Sequence, residues 1–174
     1  MTDPTPWDRL RAALRLDGSS RTAGVLPAVT LQGFAAWAGD QGLKASEPMP
    51  EAGDGGDGGD GGDGAELVEV YGDRRLGHVE GRCTGSAAGV AGVDLAVTGS
   101  APAPAAELAE FLLAPVAAAL SDEECGALDT WLRSRLDHGG PYNAATTVKA
   151  MQVALSIDDS GPHGRTWALA ARAR

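Results

Sequence analysis

Bulky hydrophobic residues are scarce in this chain of 174 residues: isoleucine occurs once, phenylalanine and tyrosine twice each, and aromatics amount to 5%. Leu, Val, Ile and Phe together supply 32 residues, just under the roughly 20% below which a charged chain tends towards disorder. Alanine makes up much of the 43% that counts as hydrophobic and buries little surface, so the core is expected to be modest. Long apolar runs are missing too. The longest, Phe111 to Leu120, is interrupted by Pro115 and is about half the roughly twenty residues that a membrane span needs. Two cysteines, Cys83 and Cys125, do not make a disulfide framework and read as reduced thiols. The opening Met1-Thr2-Asp3-Pro4 has neither a basic leader nor an apolar signal core, so a cytoplasmic location is expected. Positive charge is in short supply as well: 14 basic side chains face 24 acidic ones, for a net charge of -10. A surface of that sign repels phosphate backbones, so neither nucleic acid nor a membrane is an expected partner.

What the chain does have in quantity is glycine, and it is concentrated. From Gly53 to Gly64 the sequence is a three-residue repeat of Gly, Asp and Gly. Glycine brings no side chain to bury, and Asp54, Asp57, Asp60 and Asp63 repel one another, so residues 47–65 read as a flexible connector. Glu47-Pro48-Met49-Pro50 at its start already opposes regular structure. Calcium is a poor fit to the tract. A calcium β-roll repeats every nine residues around an aliphatic position, and an EF-hand loop ends in a bidentate glutamate.

Residues 1–46 read as a small helical segment. Pro6 occupies a favourable first helical position, Trp7, Leu10 and Leu14 share one face, and Asp17-Gly18 stops the helix. A second short helix follows Thr30, with Leu31, Phe34 and Trp37 or Ala38 inward and Gly39 closing it. Residues 66–174 change period. Glu66 to Tyr71 predicts a strand, Gly72-Asp73-Arg74-Arg75 a turn, and Leu76 to Arg82 the returning strand. Val93 to Thr98 alternates strictly and predicts a third strand with one buried face. Pro104 opens a helix that points Leu108, Phe111 and Leu112 inward and kinks or ends at Pro115. Ser121-Asp122-Glu123-Glu124 is a capping box, opening a helix that buries Cys125, Leu128, Leu132 and Leu136. Asn143 predicts the cap of a last helix carrying Val148, Met151 and Leu155, and Arg165 to Ala170 a final strand. The expected fold class is α+β: a mostly antiparallel open sheet with helices packed on one face, plus the N-terminal helical segment.

No catalytic, cofactor-binding or metal-ligating set emerges from the spacing. His78, Cys83, Cys125, His138 and His163 form no pair with metal-ligand spacing, and no P-loop, nucleophile elbow or dinucleotide fingerprint occurs. Cys125 sits near a helix start, but on the expected buried stripe and beside Glu123 and Glu124, which disfavour a thiolate. Asp158 and Asp159 are neighbours on the expected helix, pointing different ways, so one reads as solvent-facing and the other as a local turn or cap acceptor. Asp137-His138 has the composition of half a catalytic dyad, although a histidine at a helix end more often meets the terminal carbonyls. Tryptophans at these positions serve more often as core anchors than as a ligand platform.

Two stretches resemble the C-terminal domain of the glucose–fructose oxidoreductase/inositol dehydrogenase family. Leu67-Val68-Glu69-Val70-Tyr71-Gly72-Asp73 is similar to that family's strand and turn, and Leu132 to Pro141 with Thr147 to Leu155 to its closing helices. Ser160, Gly164, Arg165 and Thr166-Trp167-Ala168-Leu169 are similar to its ending. The resemblance covers Leu67–Leu169 and implies an open sheet used for substrate contact and subunit association. Residues 1–66 contain no counterpart of the dinucleotide-binding half, and the Asp-x-x-x-His catalytic signature is absent, so no catalytic residue carries over and no nicotinamide cofactor is expected. The expected function is therefore a non-catalytic interaction or oligomerisation module that meets a protein partner, or itself, through the sheet. The alternative is an accessory or degenerate small-molecule-binding oxidoreductase component. Its pocket would form against the N-terminal helices and be lined by Trp7, Trp37, Tyr71, His78 and Tyr142.

Overall fold

A computed structural model describes residues 25–50, 65–86, 88–100, 103–148 and 151–174. The expected first helix with Trp7, Leu10 and Leu14, and the Gly53–Gly64 tract with its calcium question, lie outside these residues. The described elements run α1 (Leu31–Asp40), β1 (Lys44–Ala45), β2 (Met49–Pro50), β3 (Glu66–Arg74), β4 (Gly77–Ser86), β5 (Gly89–Gly99), α2 (Ala105–Leu113), α3 (Asp122–Arg133), β6 (Tyr142–Val148), β7 (Met151–Gly161) and β8 (Gly164–Ala173). All eight strands belong to one antiparallel sheet in the order β1-β3-β4-β5-β8-β7-β6, with β2 also pairing on β3. The α+β class with an open antiparallel sheet is thus the observed one.

Local chemistry accounts for the helix ends. The Thr30 hydroxyl accepts the Gly33 N–H at 2.9 Å and starts α1, which runs past Gly39 to Asp40 and gives way to Gly42 at φ +74°. At α3 both halves of the capping box form: Glu124 N–H donates to Ser121 Oγ at 3.2 Å, and Ser121 N–H donates to Glu124 Oε2 at 2.8 Å. Pro115 ends α2 and the chain continues as a 3-10 turn over Ala114–Ala119, since a 3-10 segment tolerates the missing N–H near its start.

Strand alternation divides the side chains between two faces. One face carries Val68 and Val70, Val93, Leu95 and Val97, Met151, Val153, Leu155 and Ile157, and Trp167 and Leu169. The helices cover it with Phe34 and Ala38, Leu108 and Leu112, and Leu128 and Leu132, all in one cluster. Residues 25–50 therefore share their core with the sheet, and Met49–Pro50, within the stretch expected to be a connector, pairs with Leu67 and Glu66. Gly81 has a packing reason: a Cβ there would come within 2.9 Å of both Leu95 and Val70, which meet over it. The opposite face is built from small residues, with Ala96, Ala154, Ala168 and Ala170 forming a second buried cluster.

Three expectations are overturned. β5 is buried on both faces, with Asp94 and Ala96 covered as well as Val93, Leu95 and Val97, where one buried face was expected. Residues 142–161 form the β6–β7 hairpin rather than a helix, with Ala144 opposite Leu155 and Thr146 opposite Val153. The apolar spacing of Val148, Met151 and Leu155 suits a helix, but Met151, Val153, Leu155 and Ile157 also alternate, and pairing with β8 satisfies the alternate set and the backbone together. Cys125 is only half-buried, because the first turn of α3 lies along a groove beside α2; Cys83, in the middle of β4, is the buried thiol. Smaller differences concern lengths. β3 runs on through Arg74, and α3 ends at Arg133 rather than reaching Leu136, which is buried beyond it.

Candidate functional site

The described residues expected to line a pocket are spread over α1 and the sheet. Trp37 stands on α1, half-buried, 5.7 Å from the Phe34 ring and 5.4 Å from Phe111 on α2. Tyr71 on β3 is 50% exposed, with Lys44 Nζ 6.0 Å from its ring centroid. His78, at the start of β4, has Nδ1 2.8 Å from Asp73 Oδ1 and Nε2 3.5 Å from Glu80 Oε1. The Asp73 hydrogen bond, helped by the Glu80 charge, holds the imidazole above its ordinary pKa against the smaller opposing effect of desolvation. Tyr142 begins β6 and stacks on His138 at 3.9 Å. Between β4 and β6 lie β5, β8 and β7, so His78 and Tyr142 stand roughly 19 Å apart at strand spacing and do not share a pocket. His163 sits in the β7–β8 turn and joins neither. Trp7 lies outside the described residues.

The candidate acid–base groups are tied into structure. His138 Nδ1 lies 3.0 Å from the Gly139 carbonyl and its ring meets Tyr142, so the Asp137-His138 pair does not form a dyad contact. Asp159 clasps two chain segments: the Gly140 N–H donates to Oδ2 at 2.7 Å, and Arg165 Nε donates to Oδ1 at 2.6 Å. These donors, Gly140 first, pull its carboxyl below the ordinary carboxylate value. Burial pushes the Cys83 thiol up to about 12, with the Asp94 charge adding to the effect, so it is no nucleophile at neutral pH. Among the described residues no three His, Cys, Asp or Glu side chains gather as a metal site, and no helix is long and apolar enough to cross a membrane.

Three features were not visible in the sequence. The first is an ionic triad on the small-residue face. Asp94, 3% exposed, receives Arg82 Nε at 2.8 Å and Arg172 Nη2 at 3.0 Å, both on Oδ2. Arg172 Nη1 lies 2.6 Å from Oδ1 as an ion-pair contact without hydrogen-bond alignment. Alternation with one buried face would leave Asp94 on the open side; the arginines that cover it reach it through the register of β4 and through Gly92, over which Arg172 lies.

The second is a cleft of about 330 Å³ between α1, the β3–β4 turn and α2, with Trp37 and Phe111 in its wall. The third is the contrast between the two edges of the sheet. On the β3 side the edge is broken into the two-residue strands β1 and β2, carrying Lys44 and Pro50. Short strands, lysine and proline are the devices that keep an edge from pairing with another chain. On the far side β6 is seven residues long, straight in register with β7, and free of charge and proline from Tyr142 to Val148. Among the described residues no strand pairs with its outer side. Asn143, Ala145 and Thr147 are exposed along it.

Compared with models of protein families, with characterised proteins and with solved structures, the chain matches none.

Proposed function

We propose that this chain is a non-catalytic interaction module that associates edge to edge through β6, extending its sheet with a second copy of itself. The observation that carries the reading is the asymmetry of the edges, one shielded by short strands, lysine and proline and the other uncharged over seven residues. Association of like chains carrying -10 is disfavoured by charge, and β6 offers a contact from which charge is absent. An antiparallel pairing of two β6 strands about a two-fold axis at Ala145 sets Asn143 against Thr147 and Ala145 against itself, so the strand is its own complement. The resemblance to an oxidoreductase C-terminal domain adds no support, because Thr147 to Leu155, matched to that family's closing helices, lies in the β6–β7 hairpin.

Each backbone hydrogen bond nets roughly 0.5–1.5 kcal/mol, and association costs several kcal/mol in lost freedom, so the pairing is expected to depend on concentration in the micromolar range. Light scattering or sedimentation across that range tests it. Wild type is expected to shift from monomer to dimer. Ala145→Lys, which opposes two like charges at an exposed position, is expected to leave a monomer with unchanged circular dichroism. Ala45→Lys on the shielded edge is expected to leave association unaffected. A wild type that stays monomeric throughout, or an Ala145→Lys variant that dimerises as well as wild type, overturns the proposal.

A further inference from the structure

We infer that the cleft between α1, the β3–β4 turn and α2 is a binding site for a small zwitterion with an apolar ring, the chemistry of a free aromatic amino acid. Its volume of about 330 Å³ lies at the lower end of the range for small-molecule sites, which suits a ligand of amino-acid size. Trp37 and Phe111 adjoin in its wall, ring centroids 5.4 Å apart and planes inclined by 50°, and both are only partly covered by the core. An inclined aromatic pair of this kind offers a third ring a stacking or edge contact.

The polar groups of the same cleft divide into those already paired and those that are not. Arg75 is bound to Glu107 and closes one wall as a neutral unit. Arg74 and Glu110 line the cleft with opposite charges, and among the described residues neither has an ion-pair or hydrogen-bond partner. The Trp37 indole N–H likewise has no acceptor, whereas the buried Trp167 donates its own to the Leu136 carbonyl. An anionic ligand would meet Glu110 and a cationic one Arg74. A zwitterion answers both, its carboxylate on the Arg74 guanidinium and its ammonium on the Glu110 carboxylate, with the ring on Trp37 and Phe111. The Arg74 guanidinium also lies close to Gly42, just beyond the end of α1, where a cation is favoured by the helix carbonyls; this holds it at the rim.

The site stands on a different part of the molecule from β6 and does not depend on self-association. The test is titration of the full chain with L-phenylalanine, followed by calorimetry and by ligand-observed nuclear magnetic resonance. Two controls remove one charge each: N-acetyl-phenylalanine lacks the ammonium and phenylalanine amide lacks the carboxylate. Saturable binding of L-phenylalanine is expected, with each control at least about tenfold weaker, a difference of about 1.4 kcal/mol. Arg74→Gln is expected to abolish the preference over the amide, and Glu110→Gln the preference over the N-acetyl compound; both are exposed and should leave folding intact. No binding at about 10 mM, controls that bind as well as the amino acid, or discrimination that survives both substitutions would overturn the assignment.

Discussion

Asp94→Asn is the substitution with the largest expected consequence for a change of so few atoms. It keeps the shape of the side chain and removes the charge that holds Arg82 and Arg172 on the small-residue face. The Asp94 side chain is 4% exposed, while those of Arg82 and Arg172 are 23% and 26% exposed. Deleting one member of a buried ion pair costs about 3–5 kcal/mol, chiefly because the partner is left buried and uncompensated. Here the guanidiniums retain some access to water, which places the loss at the lower end, about 3 kcal/mol. Against a total stability of about 5–15 kcal/mol that is a large share. A chain of this size loses about 2–4 °C of Tm per kcal/mol, so a fall of about 6–12 °C is expected. Urea unfolding should show a lower midpoint at an unchanged slope. The triple variant Arg82→Met, Asp94→Leu and Arg172→Met removes all three charges together and is expected to lose less than Asp94→Asn alone. A loss below about 0.5 kcal/mol for Asp94→Asn would refute the reasoning, since it would mean that the triad is solvated like a surface pair.

Ser121→Ala removes the acceptor of the Glu124 N–H and should cost about 1 kcal/mol, read as a fall of a few degrees in Tm with the sheet signal intact. Under native conditions a thiol reagent should modify Cys125 and spare Cys83, whose thiol lies at about 12; denaturant should expose the second equivalent, and rapid native reaction of Cys83 would contradict its burial. His78 has a folded pKa raised chiefly by Asp73, so its contribution to stability is complete below about 6.5 and is lost as pH rises through the folded value. The stability difference between wild type and His78→Gln should therefore shrink as pH rises from below the ordinary imidazole value through the folded one, and a difference that grows would have the wrong sign. Asp159 behaves oppositely: its pKa is lowered by Gly140 and Arg165, so its contribution persists above the ordinary value and disappears as pH falls through the folded one. The Gly140–Asp159–Arg165 clasp should open only in acid, seen as a loss of protection of the Gly140 amide from hydrogen exchange.

Where a local signal had one physical reading, the sequence was enough. The capping box at Ser121, the Thr30 cap and the break at Pro115 each rest on a few neighbouring residues and are found in place, and Val93 to Thr98 is a strand, though one buried on both faces rather than on one. The hairpin at 142–161 has an ambiguous period: Gln152, Ala154 and Ser156 are small or polar yet buried, so the segment lacks the clean polar face that marks a half-exposed strand. Its true partner, β8, supplies the decision from outside the segment. The ionic triad and the cleft escaped for a related reason. Arg82 meets Asp94 through strand register, and Trp37 meets Phe111 across two helices joined by the whole β3–β5 meander. Neither relation has a fixed spacing along the chain.

The same ambiguous segment carries the feature on which the proposed function depends. As a helix, Tyr142 to Val148 would satisfy its own backbone and offer a partner only side chains. As the last strand of the sheet it pairs with β7 on one side and directs alternate N–H and C=O groups to the other. The chain protects its opposite edge with Lys44, Pro50 and strands of two residues, while β6 carries none of these over seven. A protein that shields one edge and leaves the other uncharged has a surface on which backbone pairing can be selective. The direction of growth is then fixed by which edge is open, so edge-to-edge association of two copies closes at a dimer and does not propagate.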